Sequence, residues 1–141
     1  MSHLSDSVAK ELLERAKAAQ NLAYAPYSEY KVGAAILSNT GQIHVGANIE
    51  NASYGATICA ERAAICTMIL AGDRTISAIA VVTSDSGYPC GICLQAINEF
   101  CSDPISFEIV VPSNGGYQIH TLHELAPYLW RSDFVSKPKK K

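Results

Sequence analysis

The sequence lacks an apolar run of the roughly 20 residues that a membrane-spanning helix needs. It also lacks an excess of basic charge, because 11 Lys and Arg stand against 13 Asp and Glu and give a formal net charge of −2. This balance argues against a polyanion-binding protein. The N-terminus has neither the basic start nor the apolar core of a signal peptide. We therefore expect a cytoplasmic protein with no membrane segment and no nucleic-acid partner.

Repeats, low-complexity segments and internal linkers are also missing, which favours one domain over residues 1–136. The basic end "KPKKK" at 137–141 is interpreted as a solvated tail. An even set of cysteines is missing too, and this argues against a disulfide framework. In the cytosol an odd number of cysteines is typical of metal binding, catalysis or core packing. The five cysteines are Cys59, Cys66, Cys90, Cys93 and Cys101.

Hydrophobic periodicity and turn residues predict the element order α-β-β-α-β-α-β-β-α. The predicted helices cover about 5–24, 59–71 and 90–100, and Thr121 with Glu124 forms a capping box for a short last helix. The predicted strands cover 30–37, 42–49, 76–83, 105–111 and 117–121. This order predicts an α/β domain with a single-layer mixed five-stranded sheet flanked by helices. Its middle β-α-β-α-β stretch implies parallel strands with right-handed crossovers.

Charged residues are nearly absent between Asn51 and Gly72, where Glu61 and Arg62 are the only two. Burial of an ionised group without a partner costs several kcal/mol or shifts the pKa. Either this end of the predicted helix faces water, or a charged group lies next to it.

Three cysteines lie at predicted helix starts: Cys59 at one, and Cys90 with Cys93 in "PCGIC" at the next. Free backbone N–H groups at helix N-termini stabilise thiolates, which suits a redox pair or a metal site. Three thiolates can fill three corners of a tetrahedral zinc site and leave the fourth to water, as in a catalytic centre.

A closed structural zinc site with Cys66 or Cys101 as the fourth ligand is the alternative. Cys66 falls on an apolar stripe that is expected to be core, and Cys101 lies about 12 Å along the helix axis from Cys93 at 1.5 Å per residue. A closed site would also leave Glu61 without a role. We therefore favour an open site that holds one Zn²⁺ per chain.

An open site gives both charged residues a chemical role. A carboxylate beside a zinc-bound water can take its proton and pass it to a substrate, which suits Glu61. Arg62 would donate hydrogen bonds to the thiolate sulfurs from outside the ligand shell and withdraw some of their charge. The four histidines are expected to be surface residues and not ligands.

The segment "CAER" at 59–62, followed by "PCGIC" at 89–93, resembles the zinc cytidine deaminases. "APYSEYKVGAAI" is similar to the N-terminal strand motif of that family, and "GANIENASYG" is similar to its ribose-binding segment. The chain length and three-Cys ligation resemble the small homotetrameric branch. The resemblance implies the cytidine deaminase-like fold and hydrolysis of cytidine and deoxycytidine to uridine and deoxyuridine in pyrimidine salvage.

The resemblance also assigns the central roles. Cys59, Cys90 and Cys93 would bind zinc, and Glu61 would carry the proton from the zinc-bound water to N3 of the ring and then help ammonia leave C4. Asn48 and Glu50 would bind the sugar, chiefly at its 3′-hydroxyl.

Further assignments concern the walls of the site and its departures from the family pattern. Tyr30, usually Phe in the family, and Ala60 would contact the substrate. Trp130 would replace a Phe that reaches into the pocket of a neighbouring subunit, and Tyr54 would contact another subunit. Leu94 occupies the place of a common Arg, so more of the charge compensation is expected from Arg62.

Three other functions remain open at this point. A three-Cys deaminase of a nucleoside antibiotic such as blasticidin S would use a similar zinc core, although the intact "NIEN" favours plain nucleosides. Polynucleotide editing is disfavoured by the net charge of −2. A zinc-stabilised binding module without turnover is the alternative from outside the enzymes.

Overall fold

The computed structural model describes residues 4–130, and the predicted basic tail lies outside them. Its helices are α1 (Asp6–Gln20), α2 (Ala60–Leu70), α3 (Gly91–Phe100) and α4 (Leu122–Leu125). Its strands are β1 (Gly33–Ser38), β2 (Ile43–Ala47), β3 (Ile76–Val82), β4 (Glu108–Ser113) and β5 (Gly116–Thr121). A 3₁₀ turn covers Tyr54–Ala56. The predicted order of elements is confirmed.

The five strands form one mixed sheet in the order β2-β1-β3-β4-β5. β1 is antiparallel to both β2 and β3, so β2 and β3 run in the same direction. β3 and β4 are parallel neighbours, and β5 closes the edge antiparallel to β4. The predicted common direction of β2, β3 and β4, the strands of the β-α-β-α-β stretch, is therefore confirmed. The carboxyl ends of β2 and β3 lie on the same edge of the sheet, from which α2 and α3 begin.

Alternate strand residues divide the core between the two faces of the sheet, as the two-residue period of a strand requires. On one face α1 packs on a set of small residues that includes Ala35, Ala80 and Val110. On the other face α2 and α3 pack on larger residues such as Ile79 and Ile109. Helices therefore flank the sheet on both sides.

Two glycines allow the helices to approach the sheet closely. A Cβ atom at Gly33 would lie 1.9 Å from the carbonyl oxygen of Ala16 in α1. A Cβ atom at Gly46 would lie 2.3 Å from the backbone nitrogen of Ala64 in α2. Side chains at these positions would push the helices outward, and the second glycine fixes how close α2 comes to β2.

The prediction that Cys66 belongs to the core is wrong. α2 packs through the stripe of Ala60, Ala64 and Met68, whereas Cys66 is exposed and Leu70 is 90% exposed. α2 is apolar on nearly every side, so its periodicity did not identify the packed face. His44, expected at the surface, is buried instead, with its Nε2 2.8 Å from Oδ2 of Asp73.

No helix within residues 4–130 is long and apolar enough to cross a membrane.

Candidate active site

Three cysteine sulfurs meet where α2 and α3 begin. Cys59 is the N-cap residue of α2, Cys90 is the N-cap residue of α3, and Cys93 lies buried in the first turn of α3. Their Sγ atoms all lie within 4.8 Å of one another, and those of Cys59 and Cys90 are 3.9 Å apart. Zn–S bonds of about 2.3 Å in a tetrahedron place sulfurs roughly 3.8 Å apart. The three thiols could therefore hold a zinc ion with little movement.

Neither of the other two cysteines belongs to this cluster. Among the described residues, the only group of three or more potential metal ligands is Cys59, Cys90 and Cys93. Cys66 is exposed on α2, and Cys101 is buried after α3, where its thiol approaches the carbonyl oxygen of Asn98. The described residues thus give no support to a closed four-cysteine site.

The cluster concentrates negative charge when its thiols ionise. Burial raises the pKa of the Cys93 thiol, and the charges of Glu61 and Cys59 raise it further. A divalent cation among the sulfurs would relieve this repulsion, because coordination stabilises the thiolate form. The chemistry of the donor set therefore agrees with its geometry.

Arg62 approaches the cluster from the side of α2. Its Nη2 atom lies 3.5 Å from Sγ of Cys59 and 3.5 Å from the carbonyl oxygen of Thr57. The pKa of Arg62 is raised by hydrogen bonds to Cys59 and Cys93. Its Nε atom is buried and has no hydrogen-bond partner among the described residues. The sequence predicted a guanidinium near the sulfurs, and the structure places it there.

The carboxyl group of Glu61 is buried beside the thiols. The residue is 4% exposed and belongs to the first turn of α2. Burial raises the pKa of Glu61, while its own backbone N–H, the thiol of Cys93 and the charge of Arg62 oppose the increase. The pair of charged residues in an apolar helix is thus explained by its position: both face the sulfur cluster.

A cavity of about 400 Å³ joins the cluster to most of the other predicted site residues. Its lining includes five of them, namely Tyr30, Asn48, Glu50, Ala60 and Glu61, together with Cys59 and Cys90 of the cluster. Cys59, Cys90 and Glu61 form one part of this lining, and Glu50, which accepts a hydrogen bond from Ser28, forms another. The cavity therefore offers a small molecule both a reactive region and a polar binding region.

Glu50 is held rigidly at the polar region. Its Oε1 accepts hydrogen bonds from the backbone N–H groups of Tyr27 (2.9 Å) and Ser28 (3.1 Å), and its Oε2 accepts one from the Ser28 hydroxyl. These bonds lower the pKa of Glu50, and the bond from the Ser28 hydroxyl has the largest effect. A carboxylate fixed and ionised in this way has remaining lone pairs for a ligand hydroxyl.

The Asn48 side-chain amide makes two hydrogen bonds within the protein itself. Its Oδ1 accepts from the backbone N–H of Val32 at 2.8 Å, and its Nδ2 donates to the carbonyl oxygen of Tyr30 at 2.8 Å. One N–H and one lone pair remain for a ligand. The side chain thus also fixes the segment that carries Tyr30.

Three aromatic residues predicted at the site have different surroundings. The Tyr30 hydroxyl donates to Oδ1 of Asp85 at 2.6 Å. Tyr54 is 75% exposed and packs edge-on against Tyr27, with ring centroids 5.8 Å apart. Trp130 is 60% exposed and outside the lining of this cavity, and its carbonyl oxygen accepts from Gln95 and Asn98 of α3. The subunit contacts of Tyr54 and Trp130 stay predictions.

The sequence did not identify Ser28, Thr83 or Tyr88, which also line the cavity. The Tyr88 ring packs edge-on against His120 at 5.3 Å, and its hydroxyl lies 3.3 Å from Oε1 of Gln118. Thr83 and Tyr88 belong to a loop without hydrophobic periodicity. Their position just before "PCGIC" was the available signal.

The fold and the thiol cluster define a metal-binding enzyme, and comparison with known proteins identifies its family. Residues 6–109 match the family model described as the cytidine and deoxycytidylate deaminase zinc-binding region. Since this match covers more than half of the chain, the chain belongs to the cytidine and deoxycytidylate deaminase family. Zinc is accordingly the metal that the three-cysteine cluster fits.

Curated relatives extend the likeness over most of the chain. A cytidine deaminase of Halalkalibacterium halodurans is 44% identical over 119 residues, which cover 82% of this chain and 89% of the relative. A probable cytidine deaminase of Dictyostelium discoideum is 37% identical over 135 residues, which cover 91% and 88%.

Solved structures confirm the fold class. The cytidine deaminase from Burkholderia pseudomallei is 41% identical, covers 92% of this chain and all of its own, and superposes with a TM-score of 0.78. The cytidine deaminase from Mycobacterium tuberculosis is 33% identical, covers 86% of this chain and 96% of its own, and has a TM-score of 0.76.

Proposed function

We propose that this protein hydrolyses cytidine and deoxycytidine to uridine and deoxyuridine with release of ammonia, and that Cys59, Cys90 and Cys93 hold one Zn²⁺ per chain. The observation that carries the proposal is the buried Glu61 carboxyl, which lines the same cavity as Cys59 and Cys90 of the thiol cluster. When bound, zinc lowers the pKa of water and so supplies a nucleophile near neutral pH.

Glu61 handles the protons of the reaction. Its carboxylate takes the proton released by the attacking water and gives it to N3 of the cytosine ring. It then transfers the second proton of that water to the amino group on C4, and the C–N bond breaks to release ammonia. The net change is addition of one water and loss of one ammonia, so no other co-reactant is required.

Glu50 and Asn48 hold the sugar at the other region of the cavity. The fixed carboxylate of Glu50 accepts a hydrogen bond from the 3′-hydroxyl, and the remaining amide N–H of Asn48 donates to the same oxygen. Both ribose and deoxyribose carry this hydroxyl, so both nucleosides are expected substrates. The backbone bonds of Glu50 keep it in place before the sugar arrives, which reduces the entropy cost of binding.

The deaminase of a nucleoside antibiotic is not favoured, because the relatives that cover most of the chain are named cytidine deaminases. A binding module without turnover would not need a buried carboxyl group beside the metal. The cavity supports an enzyme that acts on a small nucleoside.

The proposal includes a homotetramer with sites shared between subunits. Its support is apolar surface on the single chain: Leu70 is 90%, Tyr54 75% and Trp130 60% exposed. Assembly of subunits would remove such large apolar side chains from water. We also place the enzyme in the cytoplasm, in pyrimidine salvage, because all five cysteines are free thiols and the metal site needs three of them reduced.

The direct test is an absorbance assay with purified protein and cytidine. Loss of the cytosine absorbance, abolished by a zinc chelator and restored by added Zn²⁺, is the expected result. A zinc-loaded protein that leaves both cytidine and deoxycytidine unchanged would refute the proposed function.

A further inference from the structure

Two loops that wall the cavity are joined by a short side-chain hydrogen bond. The Tyr30 hydroxyl, just before β1, donates to Oδ1 of Asp85 at 2.6 Å. Asp85 belongs to the loop between β3 and α3, which supplies Thr83, Tyr88 and Cys90 to the cavity. The bond therefore connects the side of the cavity formed by Tyr30 with the loop that ends at the sulfur cluster.

Asp85 also organises its own loop. Its Oδ1 accepts from the Thr83 hydroxyl at 3.0 Å and from the backbone N–H of Gly87 at 3.1 Å. The Gly87 N–H also donates to the Thr83 hydroxyl oxygen at 2.6 Å. The pKa of Asp85 is lowered by the hydrogen bond from Tyr30 and then by that from Thr83. An ionised carboxylate accepts all of these bonds and donates none.

The space around this bond is tight for any side chain at position 87. A Cβ atom there would lie 2.8 Å from the Tyr30 hydroxyl oxygen and 3.0 Å from Oδ1 of Asp85. Real Cβ atoms essentially never come within 3.0 Å of another atom, so the Tyr30 hydroxyl would have to move. A glycine at this position thus agrees with the closeness of the two loops.

Backbone strain flanks both partners of the bond. Glu29, directly before Tyr30, and Ser86, directly after Asp85, both have a φ angle of 58°. Non-glycine residues keep this conformation where the surrounding contacts determine it, and such strain is concentrated at functional sites. In this protein the strained residues lie in the two loops that the hydrogen bond joins.

We propose that Asp85 is a positioning residue: through the Tyr30 hydroxyl it holds the loop at residues 83–90 in the conformation that forms the cavity wall. Its consequence for catalysis rests on the proposed function. A loop that is ordered before the nucleoside arrives does not need to be ordered by binding. Because the wall contacts the substrate before and during reaction, loosening it should raise KM more than it lowers kcat.

The cysteine end of this loop has its own anchor. The carbonyl oxygen of Cys90 accepts a hydrogen bond from the backbone N–H of Leu94 at 2.9 Å, in the first turn of α3. Loss of the Tyr30–Asp85 bond should therefore leave zinc content unchanged. This separates a positioning role in the wall from a role in the metal site.

Hydrogen exchange tests the bond without reference to activity. Tyr30→Phe removes the hydroxyl and keeps the ring, and we expect the Gly87 amide to exchange about tenfold faster. The amide of Ala80 in β3 is the internal control and should exchange at the same rate. Gly87→Ala changes the residue whose amide is measured, so this variant is followed by KM instead. It should behave like Tyr30→Phe, because its methyl group displaces the Tyr30 hydroxyl.

Kinetics on cytidine test the consequence. Asp85→Ala should raise KM roughly three- to tenfold, and adding Tyr30→Phe to it should have little further effect, because the two residues act through one bond. Asp85→Asn keeps an acceptor oxygen and should restore part of the loss. A residue that merely stabilises the fold would lower the melting temperature without this pattern in KM.

Three results would overturn the proposal: an unchanged Gly87 exchange rate in Tyr30→Phe, faster exchange with an unchanged KM in an active enzyme, or additive effects of the two substitutions on KM. If the unmodified protein does not deaminate cytidine, the proposed function fails. The exchange rate then decides alone whether the bond holds the loop.

Discussion

The sulfur atoms of Cys59 and Cys90 lie 3.9 Å apart although 31 positions separate the residues in the chain. Each residue is the N-cap of a helix, and the two helices follow strands that run in the same direction in one sheet. Parallel strands place the starts of their following helices at one edge of the sheet. The thiol cluster therefore follows directly from the β-α-β-α-β order of the chain.

Replacing a clustered cysteine should remove the metal, whereas replacing an unclustered one should not. Cys93→Ser is expected to reduce zinc from about one ion per chain to a small fraction of that, because a neutral hydroxyl is a poor zinc ligand. Metal analysis of the purified proteins checks this. Cys66→Ser, on the exposed side of α2, is the matched control and should keep its zinc. Full zinc content in Cys93→Ser would contradict the assignment.

Removing Arg62 should weaken zinc binding without removing a ligand. Its guanidinium lies 3.5 Å from the sulfur of Cys59, so Arg62→Ala removes a hydrogen bond to one of the three ligands. Loss of such an outer partner costs roughly 10- to 100-fold in metal affinity. Competition with a chelator measures the change. Arg74→Ala is the control, since Arg74 binds the carbonyl oxygens of Ile69 and Asp73 instead. Equal zinc affinities of the two variants would argue against this role.

Asp73 should stabilise the fold in a pH-dependent manner. Hydrogen bonds from His44 first, and then from Ser38 and Thr40, lower its pKa in the folded state. A lowered carboxyl pKa contributes stability that is present above the unfolded value near 4 and is lost as the pH falls through the folded pKa.

Asp73→Asn should therefore destabilise the protein at pH 6 and do so less at pH 3.5, which urea unfolding at each pH would measure. Glu11→Gln, on the exposed side of α1, is the control for loss of one carboxylate. A destabilisation by Asp73→Asn that is the same at both pH values would disprove the linkage.

Trp130 should act on a site in another subunit if sites are shared. Trp130→Ala is expected to raise KM for cytidine roughly two- to tenfold, which corresponds to the binding free energy of one aromatic contact. Mixed assembly with a Glu61→Gln chain should restore a low KM, because the intact Trp130 of that chain can serve the intact Glu61 of its neighbour. Tyr128→Ala, at another exposed aromatic residue, is the control. Failure of mixing to lower KM would count against a shared site.

Much of the fold followed from short-range signals. Within residues 4–130, apolar periodicity and capping residues located each α-helix and strand, and the Thr121–Glu124 capping box is present in the structure. Element ends were less accurate. The strand predicted from residue 105 begins at Glu108, because Asp103 binds the backbone N–H of Ile105 and the hydroxyl of Ser106 in a turn.

The cluster of thiols and the position of Glu61 beside it were also predictable, because helix N-termini converge at an edge of parallel strands. The side chains that form the cavity wall could not be predicted from the sequence. Tyr88 and Asp85 lie in a loop whose contacts with His120 and Tyr30 join distant parts of the chain, and no local pattern encodes such contacts. The packed side of α2 was missed because that helix has apolar residues on both sides.

The most direct measurement compares turnover and zinc content in Glu61→Gln. The amide keeps the size of the side chain but cannot carry a proton, so the deamination rate should fall at least about 100-fold. Zinc content and unfolding temperature should stay close to those of the unmodified protein. A variant that keeps its zinc and still deaminates cytidine at the original rate would contradict the role of Glu61 as the proton carrier.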